Sequence, residues 1–344
     1  PVAGTRQMHR HGPSPLVGED GRGVATGTCP QRLPVSSSPF SDRRIVVAIA
    51  LVCCFLWGSA VPAVKIGYGL FAIAPTDTPS LMLFAGARFF LAGLMLLAWS
   101  ALTRKPIVQA ARRLGQLGLL GLISTAGQYL FYYIGLAHST GVKVSITTST
   151  STFFSVLIAH FLYVNDKLTP RRILGCLLGF LGVIAVNLAA TGIDLHVSLF
   201  GEGFIVIAAL LFSVGGVYGK GLSADMDAGV MTGWQLLLGG AILGLAGLGL
   251  GGKLGAFGPE AALLLGYLAA LSAAAFALWS VLLKHNPVGS IAIFNCAIPI
   301  FGVLLAGLFL GESIFEWKNL AALLLVSVGI WLVTTQKSVA GRTT

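Results

Sequence analysis

Carboxylates are scarce in this chain, twelve in 344 residues, and none sits in the middle of a long apolar run. Asp77, Asp194, Glu202, Asp225, Asp227 and Glu260 all fall at run ends or in connecting segments. This argues against a proton relay built from a deep Asp or Glu. Charge of either sign is low at 10% of residues, against 56% hydrophobic; a soluble domain carries roughly 25% charged residues. The five cysteines form no framework, because Cys53, Cys54, Cys176 and Cys296 lie inside apolar runs and Cys29 lies near the start. Their spacing suits neither a disulfide set nor a metal site, and the six histidines lack ligand spacing too. Phosphate loop, His-Glu-x-x-His pattern and nucleophile elbow are all missing. The expectation is no enzyme, no metal and no cofactor.

What the chain does have is a succession of apolar runs of about 20 residues, the length that matches the hydrocarbon core of a bilayer. They cover Ile45–Phe71, Ser80–Thr103, Leu114–His138, Gly141–Val164, Pro170–Ala190, Phe200–Leu222, Ala228–Leu250, Glu260–Lys284, Val288–Leu310 and Phe315–Thr335. The 45 glycines point to close helix packing more than to breakage.

The two halves echo each other. FLYVNDKLTPRRILGCLLGFLGVIAV at 161–186 resembles GLFLGESIFEWKNLAALLLVSVGIWLV at 307–333, with Asp166 and Glu312 at matching places. Trp57 to Lys65 has the spacing of Phe212 to Lys220, and Arg88 before FFLAGLMLL parallels Gln235 before LLLGGAILG. Five runs precede the seam near residue 195 and five follow it, so an odd number of crossings inserts the second copy upside down. The expected fold is an all-α polytopic membrane protein, ten transmembrane helices as two inverted five-helix repeats, 43–190 and 200–337.

The net charge of +10 could suggest nucleic acid, but its placement suggests a membrane instead. Arg43, Arg44, Arg104, Lys105, Arg112, Arg113, Lys167, Arg171 and Arg172 cluster on one side, while the alternate connections of the same half hold only Lys143. Basic residues stay cytoplasmic, which predicts both termini inside an inner (plasma) membrane. The second half is nearly neutral by this rule, with Lys253 and Lys318 against Lys220 and Lys284. Residues 1–42 hold six Pro, six Gly and five Ser and cannot bury enough surface to order. They are expected to be disordered, to carry no cleavable signal and to be dispensable for insertion, which the first span initiates.

WGSAVPAVKIG in the first span, ARFFLAGLMLL in the second and AIPIFGVLLAGLFLGE before the last, in two copies of five, resemble the drug/metabolite transporter superfamily, specifically its EamA-domain members. The resemblance covers residues 43–337 and implies a ten-helix inner-membrane carrier of small metabolites, often amino acids or related solutes, working by alternating access. Phe153 and Asp166 stand where that family commonly has Pro and Glu. Nucleotide-sugar and drug or quaternary-amine carriers are the alternatives, and a channel or membrane-embedded enzyme is disfavoured. The expected partners are a small-molecule substrate and the lipid bilayer, with no nucleic acid, for a monomer or homodimer.

Within the spans, Pro62 cannot donate to the carbonyl of Gly58, nor Pro299 to that of Asn295. Each acceptor is either a substrate contact or a plain kink. Lys65 near its helix end either snorkels or binds. Arg88, about 12 Å deep at roughly 1.5 Å per residue, is either a clamp or an anchor, and Gln235 is its repeat mate. Six hydroxyl residues run from Thr147 to Thr152, of which Thr148 and Ser151 are the cavity candidates, with Asn295 opposite as the mate of Ser149. Trp57, Gln128, Tyr132, Tyr218 and Trp279 complete the candidate binding residues, aromatic belts being the competing explanation. Asp166 and Glu312 are best explained as turn and cap residues of the helices that follow them.

Overall fold

The computed structural model describes residues 42–162, 169–186, 198–223, 225–255, 257–286, 291, 293–313 and 316–334. The expected disordered segment, Asp42 apart, and Asp166 fall outside the described residues. The chain is helical throughout the described residues. In chain order the helices are α1 (Arg43–Leu70), α2 (Thr78–Leu102), α3 (Ala111–Gly121), α4 (Gln128–Ala137), α5 (Gly141–Thr147), α6 (Thr150–Leu162), α7 (Pro170–Val186), α8 (Phe204–Ser223), α9 (Ala228–Gly249), α10 (Pro259–His285), α11 (Ala297–Leu310) and α12 (Trp317–Thr334). Six stretches are long and apolar enough to cross a membrane: α1, α2, α3 through α4, α8 with its lead-in, α9 and α10; α11 and most of α12 are shorter apolar helices.

Local chemistry starts these helices where it should. Asp77 accepts from the amide of Ser80 ahead of α2, and Asp227 accepts from Gly229 and Val230 ahead of α9. In α10, Pro259 opens the first turn and Glu260 follows, while Lys284 and His285 close the last, so side-chain charge opposes the helix dipole at both ends. Large apolar side chains such as Leu94, Leu245, Leu263, Leu308 and Leu324 point outward, as they must in lipid.

Among the described residues four of the expected single helices are irregular, the sixth because it opens with a π-helical turn at Leu199–Gly203. A π-helical turn at Leu122–Gly127 joins α3 to α4. The fourth span breaks at Thr148 and Ser149, where the amides of Ser149, Ser151 and Thr152 reach back only three residues. The ninth span is interrupted by a 3₁₀ turn at Ile293–Cys296, with Ile291 already helical ahead of it. The last two breaks are repeat mates, so both copies loosen at the same place, one of them without a proline.

How the halves meet defines the architecture. α2 runs along α9 with residue numbers in opposite order: Gly247 faces Pro79 and Leu83, Gly244 and Gly240 face Gly86, and Gly233 faces Leu97. α7 and α12 behave alike, with Gly182 against Ala322 and Val326, and Gly329 against Gly175 and Gly179. Each pair consists of repeat mates lying antiparallel, so the axis relating the copies is perpendicular to the helices. The remaining contacts obey the same symmetry: α1 packs on α11 and α10, and its mate α8 packs on their mates α6 and α4. The second copy is inverted relative to the first.

At one end of the bundle Lys105 pairs with Asp227 at 3.0 Å, Arg113 pairs with Asp225 at 3.6 Å and Trp234 donates to the carbonyl of Ile107. At the other end the amide of Gly255 bonds to Phe71, that of Lys253 to Ser80, and Ser139 to Glu202. Burial alone would raise the pKa of Asp227, but Lys105 and the amides of Val230 and Gly229 outweigh it and hold the carboxyl below its ordinary range. The sign follows: this stabilisation is complete above the unfolded carboxylate value of about 3.9 and fades as pH falls through the lower folded value. Asp227→Asn should cost about 0.5–1 kcal/mol at neutral pH, the charge being partly exposed. Thermal unfolding at pH 7 and pH 3 checks this, the variant and parent converging at the acid end.

Candidate functional site

Between the copies lies a cavity of about 120 Å³, bounded by α1, α2, α4, α8, α10, α11 and the broken fourth span. One wall is aromatic. Trp57 sits 5.0 Å from Trp279 and 5.6 Å from Phe276, ring centre to ring centre, both pairs edge to face. Phe212, the repeat mate of Trp57, lines the same cavity.

The opposite lining is made of hydroxyls and amides. Ser145, Thr148, Ser149, Ser151 and Thr152 come from the broken span and Asn295 from the 3₁₀ turn facing it. Thr148 and Ser145 return their hydroxyl protons to the carbonyls of Val144 and Gly141 one turn earlier. Ser149 and Thr152, both buried, have no hydrogen-bond partner for their oxygens, and the same holds for the side-chain oxygen of Gln128. Leaving a buried polar atom unpaired costs about 1–3 kcal/mol, and all three residues border the cavity.

The cationic corner is Arg88. It is 2% exposed. Its Nε donates to Ser272 Oγ at 2.8 Å and to the Leu268 carbonyl at 3.3 Å, and its Nη1 donates to Tyr133 Oη at 3.1 Å. The guanidinium carbon also lies 4.8 Å from the centre of the Phe89 ring. α2, α4 and α10 are thereby tied to one side chain, which is the anchor role. Yet Arg88 also lines the cavity. Among the described residues its Nη2 has no hydrogen-bond partner. Anchor and cavity wall are the same residue.

The structure brings Trp57, Gly58, Arg88, Gln128, Tyr132, Thr148, Ser151, Trp279 and Asn295 together around this space. The other five candidates lie elsewhere. Lys65 pairs with Glu312 at 3.5 Å near the bundle end. Tyr218 packs with Leu117, Leu120, Leu222 and Met231, and Gln235 is buried on α9, where its backbone touches Gly121. Pro62 is buried in α1 beyond Gly58. Pro299 does not line the cavity: it takes the third position of α11, directly after the 3₁₀ turn that interrupts the ninth span.

Glu312 also differs from expectation. Gly311, at φ +65°, ends α11 and turns the chain so that both Glu312 oxygens reach across to the start of α5, accepting from Gly141 and Val142 at 2.8 Å each. It caps a helix of the other copy, not the helix that follows it. Ser145, Ser149, Thr152, Tyr129, Phe212 and Phe276 were missed as lining residues. For Ser149 and Phe212 the repeat alignment was a usable signal, since each is the mate of a residue that was chosen.

The EamA-like transporter family profile matches this chain twice, at residues 44–188 and 199–335. An uncharacterized transporter from Archaeoglobus fulgidus is 24% identical over 301 residues, covering 86% of this chain and 99% of that protein. The uncharacterized inner membrane transporter YedA from Escherichia coli K12 is 26% identical over 295 residues, covering 83% and 91%. A crystal structure at 19% identity superposes with a TM-score of 0.63 over 85% of this chain and 97% of the other, in agreement with the fold.

Proposed function

This chain belongs to the EamA-like transporter family, and on that premise we propose that it is a carrier moving small metabolites, of the size of amino acids and related solutes, through the cavity between its inverted copies. The observation supporting this is the cavity itself, placed where the two copies meet and lined by mated residues of both, which an inverted duplication can expose to either side in turn. Only one charged residue, Arg88, lines it among the described residues, which disfavours nucleotide sugars with their several negative charges.

Closure at one end rests on Glu312. One turn along the helix from the cavity residue Ser145, Gly141 nestles against Val61, Ala306 and Leu310 while Glu312 holds its amide. Alternating access requires these bonds to break when the cavity opens there. Among the described residues ten basic and three acidic side chains gather at the Asp227 end, and four basic and five acidic at the Glu312 end. By the positive-inside rule the Asp227 end is then the cytoplasmic one of an inner membrane.

The experiment is accessibility. With Thr148→Cys in a cysteine-free background, an impermeant thiol reagent should modify the protein from either face of oriented vesicles, in membranes that show no conductance. Modification from neither face, or a measurable pore current, defeats the carrier reading.

A further inference from the structure

Arg88 is a buried cation without an anion. None of the ion pairs among the described residues includes it, and its hydrogen-bond partners are neutral: Tyr133, Ser272 and a backbone carbonyl. Removing a charge from water costs several kcal/mol even after relaxation. Two hydroxyls, one carbonyl and an aromatic face offset part of that and leave Nη2 without a hydrogen-bond partner among the described residues. A purely structural anchor does not need a charge here, as neutral Gln235 occupies the mated position. Among the described residues no carboxylate lines the cavity; the rest of the wall is hydroxyls, amides, aromatic rings that include Trp57, Phe212, Phe276 and Trp279, and small or aliphatic residues such as Val61 and Ile205.

From this geometry, and resting on the carrier reading, we propose that the transported solute is an organic monoanion. Its carboxylate meets the free edge of the Arg88 guanidinium, and its polar body meets Gln128, Ser149 and Thr152. Its apolar part lies against the Trp57–Trp279 wall. One cation balances one anion, so the loaded cavity is neutral. A zwitterion would bring an ammonium that no charge among the described lining residues balances, and an amine would face the guanidinium directly.

The test uses the full-length protein in lipid nanodiscs and a panel of small carboxylic acids, aliphatic and aromatic, each beside its own primary amide and amine. Binding is followed by tryptophan fluorescence, since Trp57 and Trp279 line the cavity. At least one acid should bind about tenfold or more tightly than its amide. Arg88→Gln should bring that ratio to about one, and Arg88→Lys should keep part of it, lacking the planar fork. The ratio in the unaltered protein decides even if Arg88→Gln folds poorly. No acid exceeding its amide, or a preference that survives Arg88→Gln, overturns the proposal. Thiol accessibility of Thr148→Cys from the two faces is independent of the panel, so a failure of the charge assignment is separable from a failure of the carrier reading.

Discussion

Gly240→Val abolishes the folded protein, and Gly240→Ala is already severely destabilising. A Cβ at residue 240 would run into the backbone amide of Phe90 and the carbonyls of Phe89 and Gly86, none of which can turn aside as a side chain tip can. The facing Gly86 is equally constrained by the backbone of Gly244 and Gly240. In lipid the helices gain nothing from hydrophobic exclusion, so close backbone approach is the main source of their association. Overfilling such a contact costs about 1–3 kcal/mol in an ordinary core. Here the obstacle is main chain on an antiparallel pair that joins the two copies, which puts the alanine variant at or above about 4 kcal/mol, the range reserved for major lesions. Gly266→Ala, with nothing within 4 Å of its Cβ, is the control. It removes a helix-interior glycine and is neutral or slightly stabilising. Monodisperse yield and thermal unfolding in detergent separate the two. A Gly240→Ala protein as stable as its parent would show that α2 and α9 do not approach as described.

The second large effect comes from Glu312→Ala. Its two oxygens each accept an amide of α5 at 2.8 Å, and the carboxylate pairs with Lys65 at 3.5 Å. Hydrogen bonds to an ionised group contribute about 1.5–3 kcal/mol apiece, and partial exposure of the site reduces the total to about 2–3 kcal/mol. At 1.4 kcal/mol per factor of ten this shifts the closed-to-open balance at that end by roughly 30- to 150-fold. Ser145→Cys, one turn below the cap, should then react correspondingly faster with an impermeant thiol reagent from the Glu312 face alone. Glu312→Gln should behave almost as badly, because its amide nitrogen would meet an α5 amide donor head on. Lys65→Met, which removes only the half-exposed partner, should change the rate by less than about fivefold. Equal acceleration from both faces would mean general loosening of the fold instead of release of one closure.

These two sites also show what the sequence could and could not reveal. The inverted duplication was legible because Trp57 and Phe212, or Asp166 and Glu312, keep their spacing across 146 to 155 residues, and an odd number of crossings leaves the second copy no other orientation. Part of the cavity was legible too, since polar and aromatic residues inside apolar runs have few other reasons to be there. The break in the fourth span was not. Six consecutive hydroxyl residues cover every face of a helix, and with neither Pro nor Gly among them nothing marks Thr148 and Ser149 as the place where the ladder slips. Pro299, by contrast, stands just past the 3₁₀ turn that interrupts the ninth span. Glu312 was assigned to the nearest helix start, a local inference that cannot see a partner 171 residues away at Gly141. The double role of Arg88 was half visible: its depth called for hydrogen-bond partners, but only the fold shows that they leave one edge of the guanidinium uncommitted.

The antiparallel pairing of α2 with α9 and of α7 with α12 has a further meaning. Neither half owns an interior: the glycine-lined faces of one are completed only by the other. The molecule is in this sense a heterodimer whose subunits share a chain. Tethering replaces an encounter that would depend on how much protein the membrane holds with one governed by an effective concentration, about millimolar for a short connection. Two half-length polypeptides split near residue 195 would have to find each other by diffusion in the bilayer. Their assembly would rise and fall with expression, whereas the joined chain is indifferent to it.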